Sequence, residues 1–100
     1  MILELADMGI HPRQNAAFEE AIERGLKTVI SKAPGFQAYA VQRGIESPQR
    51  YLLQIRWATL EDHTVAFRGS ELFTQWRAIV GAFFAGAPTV EHFELSAKSD

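Results

Sequence analysis

The chain has 100 residues, a net charge of −2 and no cysteine; 47% of its residues are apolar and 22% charged. That length suits one domain over 1–100 with its own core, and the near-balanced charge argues against a nucleic-acid partner, which rewards clustered Lys and Arg. The lack of cysteine excludes disulfides, thiolate nucleophiles and cysteine-based metal sites and suits a cytoplasmic protein, while no apolar run is long enough for a membrane span and the opening MILELAD lacks the basic start and long apolar run of a signal peptide.

Residues 2–11 read as a strand that Pro12 ends. A helix follows over 14–32, with Ala17, Phe18, Ala21, Ile22, Leu26, Val29 and Ile30 as one apolar stripe; Gly25 weakens it and Pro34-Gly35 stops it. Residues 36–45 and 51–57 are two further strands whose short link, ESPQ, favours an antiparallel hairpin. Thr59 suits an N-cap with Asp62 three residues on, which opens a short helix over 60–67. Ser70 can cap the next helix, 71–85, whose stripe of Leu72, Phe73, Trp76, Ile79, Val80, Phe83 and Phe84 is bulky. Gly86 and Pro88 end it, and 89–97 is the last strand.

The order β-α-β-β-α-β is the split βαβ, or ferredoxin-like, pattern: an α+β domain with a four-stranded antiparallel sheet and both helices on one face. Strict alternation puts Tyr51, Leu53, Ile55 and Trp57 on one side of the third strand. It sets Phe36, Ala38 and Ala40 against Tyr39 and Val41 in the second. It sets Phe93 and Leu95 against Val90 and His92 in the last, with Glu94 on the side of His92. Both sheet faces then carry apolar residues while the helices can cover only one. A second copy of the chain is the expected cover for the other, making a homodimer; were that face a cavity wall, His92 would look into it.

Three stretches carry a family resemblance: W-A-T-L-E-D-H at 57–63, S-E-L-F-T-Q-W-R at 70–77 and G-A-P-T-V-E-H-F at 86–93. They resemble the antibiotic-biosynthesis-monooxygenase family over nearly the whole chain. The resemblance implies a dimeric α+β barrel. It also implies one of three roles: cofactor-independent monooxygenation of quinols or polyketide-derived phenols, haem binding or degradation, or a non-catalytic dimeric ligand-binding protein. The chain departs from the haem-degrading branch at two places. No histidine falls in Thr74–Arg77 after Phe73, and Ala6 and Asp7 stand where that branch has an asparagine. Many members carry a second histidine four residues past the first; here that place is Phe67.

His63 is the expected proton-transfer group, since a neutral imidazole can take a phenolic proton. Arg77 can stabilise the resulting anion. Trp57, Phe67, Phe73 and Trp76 are candidate aromatic walls for a planar guest. Tyr39 and His92 are further candidates for the same environment, and His11, beside Pro12, reads as surface. No metal motif, glycine-rich phosphate loop or flavin motif is present in the sequence, so no cofactor is expected, with haem as the alternative. The reading that follows is a monooxygenase that binds a hydroxyaromatic substrate and molecular oxygen between sheet and long helix.

Overall fold

A computed structural model describes residues 1–99; residue 100, the end of the expected domain, lies outside the described residues. The strands are β1 (Ile2–Gly9), β2 (Phe36–Arg43), β3 (Arg50–Trp57) and β4 (Thr89–Glu94). The helices are α1 (Asn15–Thr28) and α2 (Glu71–Val80), with a π-helical turn at Asp62–Phe67. All pairings are antiparallel and the strand order is β2-β3-β1-β4. Alternation decides which side of the sheet is dry. Glu4, Ala6 and Met8 of β1 and Tyr51, Leu53, Ile55 and Trp57 of β3 are buried against Phe18, Ile22 and Leu26 of α1 and Trp76 and Val80 of α2. No described helix is long and apolar enough to cross a membrane.

The expected ferredoxin-like sheet with helices on one face is present, but the expected barrel is not. The sheet is open, with β2 and β4 as its two unpaired edges. Four strands, each rotated by roughly 20–25° from the next, leave the edges far apart, and closure needs about eight. The face away from the helices is bare in this chain. Leu3, Leu5 and Leu52 are half-buried there, and Phe93 is 43% exposed.

Alternation misplaces Phe36. The β2–β3 register shifts between Phe36 and Ala38, so that Phe36 pairs with Trp57 and Tyr39 with Ile55. A bulge absorbs one residue and returns Phe36 to the helix side with Tyr39 and Val41. The long helix also stops early, at Val80. The next residues serve β1 instead: Phe83 O accepts a hydrogen bond from His11 N (3.0 Å), Ala85 N donates to Gly9 O (2.8 Å), and Phe84 bridges Ile10. Pairing with the strand end takes these groups out of the helix.

Two glycines are fixed by their neighbours. A methyl on Gly25 would meet the Trp76 ring at 2.9 Å, so its absence lets α2 approach α1. Gly35 sits at φ +87°, and a Cβ there would overlap the Asp62 carboxylate. Gly35→Ala is therefore expected to destabilise by about 1–3 kcal/mol, read as a lower urea midpoint with unchanged slope. An unchanged midpoint would show that the turn relaxes freely.

Candidate functional site

The site begins with the link after β3. Thr59 and Asp62 form the expected reciprocal cap: Asp62 N donates to Thr59 Oγ1 (3.1 Å) and Thr59 N to Asp62 Oδ2 (3.2 Å). The turn that follows is π-helical: Arg68 N donates to His63 O, five residues back (3.2 Å). It turns both His63 and Phe67 inward. Ser70 does not cap α2; its hydroxyl donates to Phe67 O (2.7 Å) and closes the turn instead.

Between this turn, α2 and the sheet lies a cavity of about 500 Å³, within the usual size range of small-molecule sites. Its walls include Phe67, Phe73 and Trp76, with Glu4 and His63 deeper and Arg68 and Arg77 also lining it. Arg77 is exposed and its guanidinium lies 5.9 Å from the Phe73 ring centre. Neither arginine makes an ion pair among the described residues.

Trp57 is not a wall of this cavity. It is fully buried (0% exposed) and stacks against His63, ring centres 5.3 Å apart. Its Nε1–H donates to Glu4 Oε1 (2.9 Å). His63 is 4% exposed; its Nδ1 is hydrogen-bonded to His92 Nε2 at 2.8 Å, and its Nε2 lies 3.3 Å from Glu4 Oε1. His92 stands opposite Glu4 on the neighbouring strand and so faces the helices, not the bare side. Tyr39 is elsewhere. It lines a second hollow of about 530 Å³ against α1, with Glu19, Glu23, Arg43 and Tyr51. Although slightly larger, that hollow has its charges paired: Arg43 with Glu19 (2.9 Å), and Tyr51 donating to Glu19 (2.6 Å). Of the sequence candidates, the cavity thus gathers His63, Phe67, Phe73, Trp76 and Arg77. His92 reaches it through His63, Trp57 supports it from the core, and Tyr39 lies apart.

Sequence reasoning missed Arg68 and, with more consequence, Glu4. The latter was detectable as the one charged side chain in the inward phase of Glu4, Ala6 and Met8. Burial raises its pKa above the ordinary carboxylate value, against the opposing pull of the Trp57 hydrogen bond and the Arg68 charge. Burial, then the charges of Arg68 and His92, lower His63 to about 4. His92 is lowered too, by burial and Arg68. The two central groups act oppositely on stability. Below pH 6.5 the unfolded chain protonates His63 first, so its term costs stability as pH falls toward 4, by at most about 3 kcal/mol. Glu4 binds its proton more tightly when folded, so its term costs stability as pH rises from 4.5 through its raised value. Glu4→Gln is accordingly expected to raise the thermal midpoint at pH 8, by roughly 2–6 °C, and to lose that advantage on acidification. A midpoint that falls equally at all pH values would refute a destabilising carboxylate.

Residues 1–79 match the family model described as antibiotic biosynthesis monooxygenase. The uncharacterized protein YczJ of Bacillus subtilis (strain 168) is 37% identical over 94 residues, 94% of this chain and 98% of YczJ. A crystal structure from Bordetella bronchiseptica, of a protein assigned to the same kind of monooxygenase, superposes with a TM-score of 0.91 at 36% identity, covering 96% of this chain and 97% of that one. The fold is also shared with a monooxygenase from the gene ActVA-Orf6 of Streptomyces coelicolor, solved with nanaomycin D: TM-score 0.82, 13% identity, 98% and 89% covered. With a family model spanning most of its length and relatives this similar end to end, the chain belongs to the antibiotic biosynthesis monooxygenase family.

Proposed function

We propose that the protein is a monooxygenase that oxidises a flat hydroxyaromatic, of the quinol or anthrone type, with molecular oxygen and no bound cofactor. The observation that carries this reading is the pairing of a buried Glu4–His63 couple with an aromatic cavity of about 500 Å³ lined also by Arg68 and Arg77. Phe67, Phe73 and Trp76 offer ring faces for a planar guest. Family membership and the fold shared with a nanaomycin D-bound monooxygenase support the same substrate class.

The chemistry then runs on the substrate's own electrons. Nδ1 of His63 is hydrogen-bonded to His92 and its Nε2 lies against Glu4 Oε1, so the group we assign to take a proton from the substrate is Glu4, with His63 acting through it. A carboxylate raised by burial is a stronger base than an exposed one. Arg77 and Arg68 stabilise the resulting phenolate, and that anion gives an electron to oxygen. In an anthrone, the ring carbon bearing two hydrogens loses both, one oxygen atom stays as a carbonyl, and the other departs as water with those hydrogens; in a quinol, one oxygen atom stays as a new ring hydroxyl and the other departs as water with two hydrogens as the ring becomes a quinone. No external reductant is needed.

A homodimer belongs to the same reading. Leu3, Leu5, Leu52 and Phe93 leave apolar side chains on the sheet face that the helices do not cover, which a second copy would bury. Sedimentation at micromolar concentration is expected to give twice the chain mass. The activity test is oxygen uptake with a panel of quinols and anthrones: consumption of one oxygen per substrate supports the reading. No uptake with any of them, together with a strong absorption band on adding hemin, would replace it with haem binding.

A further inference from the structure

Glu4, His63 and His92 come from three elements, β1, the π-helical turn and β4, and meet in one row. Glu4 and His92 face each other across adjacent strands, and His63 drops between them. The contact between the two rings, 2.8 Å from nitrogen to nitrogen, needs one donor and one acceptor. Its direction follows from the other end of the row. Trp57 can only donate, so Glu4 Oε1 is an acceptor there. While Glu4 is ionised it has no proton to give His63, and the 3.3 Å contact is favourable only if His63 Nε2 carries the hydrogen. A neutral ring carries one, so Nδ1 is bare and His92 must donate to it.

We propose that His92 is a positioning residue: by donating its Nε2–H to Nδ1 of His63, it locks His63 in the tautomer that presents Nε2–H to Oε1 of Glu4. The Trp57 N–H donates to that oxygen at 2.9 Å, and His63 Nε2 is directed at the same atom from 3.3 Å. No described buried side-chain oxygen or nitrogen lacks a hydrogen-bond partner, and Oε2 takes no part in these bonds. It is therefore the oxygen open to the cavity. The orientation is of the kind by which a carboxylate or carbonyl fixes a histidine elsewhere, here supplied by a second histidine. The catalytic part of this inference rests on the proposed proton transfer to Glu4; the tautomer lock does not.

The experiment therefore begins on the free protein. With 15N-labelled histidine at a pH about one unit above the ordinary histidine pKa, His63 is expected to be protonated at Nε2 and bare at Nδ1, with a through-hydrogen-bond coupling between that Nδ1 and Nε2 of His92. Protonation of His63 at Nδ1, or no coupling between the rings, overturns the proposal. The second arm follows the Glu4 carboxyl by 13C as pH is varied. The groups facing it are Trp57 from β3, His63 and Arg68 from the turn and the residue after it, His92 from β4, and Arg77 across the cavity. His92→Phe is expected to raise the Glu4 midpoint, because the His63 donor is no longer held in place. His92→Gln, whose amide can donate to the same Nδ1, is expected to restore it. Equal midpoints in all three proteins overturn the positioning role. Should no hydroxyaromatic be oxidised, the monooxygenase reading fails while both spectroscopic arms still decide the tautomer lock.

Discussion

Trp57→Ala is expected to bring the protein to the edge of unfolding. The side chain is wholly enclosed, in contact with Phe36, His63 and Phe67 at ring-centre distances of 6.4, 5.3 and 5.7 Å. Truncating a tryptophan so placed costs about 3–5 kcal/mol through lost burial and the cavity left behind. The loss of its N–H adds a further cost of about 1–3 kcal/mol, because Glu4, a largely buried carboxylate, is left with one donor fewer. Set against the 5–15 kcal/mol that roughly bounds a domain of this kind, the variant has little stability left. Trp57→Phe separates the two contributions: it keeps most of the ring and removes only the donor. It is expected to lose about 1–3 kcal/mol and to raise the Glu4 pKa further, since the hydrogen bond from Trp57 is the larger of the two influences, with the Arg68 charge, that oppose its rise. Urea unfolding of both variants checks this. An alanine protein within about 1 kcal/mol of wild type would mean that the site is far looser than its geometry.

The same residue shows what a linear chain can and cannot reveal. That Trp57 ends a strand, and that Tyr51, Leu53 and Ile55 share its side, follows from a period of two, and the structure keeps it. The period fails where a residue is inserted without changing composition. Nothing in FQAYA marks a bulge, yet the shift between Phe36 and Ala38 moves Phe36 across the sheet to Trp57. The π-helical turn is invisible for a related reason. His63 and Phe67 are four apart and would share a face in an ordinary helix too; only the bond from Arg68 N back to His63 O reveals the wider turn. Barrel closure failed because strand patterns say which face of a sheet is buried, not whether its edges meet.

The site was legible in its parts and not in its assembly. His63 and His92 each stood out in the sequence, but their 2.8 Å contact depends on β4 pairing with β1, a long-range choice made by the crossover of α2. Glu4 needed no long-range knowledge. A carboxylate flanked by Leu3 and Leu5, in the phase of Ala6 and Met8, breaks the apolar pattern of a core strand. Such a break is costly to keep, and rule-breaking residues of this kind collect at functional sites.

Glu4→Gln is expected to lower kcat for hydroxyaromatic oxidation by about 10²–10⁴-fold, the usual contribution of a positioned base. The substitution is close to isosteric. The amide oxygen of the variant can still accept from Trp57 and His63, so the cavity and its aromatic walls stay as they are, and KM is expected to change little. The loss is therefore one of proton acceptance rather than of binding. In the wild type the rate should fall on acidification through the Glu4 pKa, which lies above the ordinary 4.5 because burial disfavours the charged form. Below that point the base is already protonated, so the two proteins should converge at low pH and diverge most at high pH. The same substitution is expected to stabilise the fold at pH 8, so a loss of activity there cannot be traced to unfolding. If the Glu4→Gln protein turns over at the wild-type rate across the whole range, the substrate's proton leaves by another route and Glu4 serves only to orient His63.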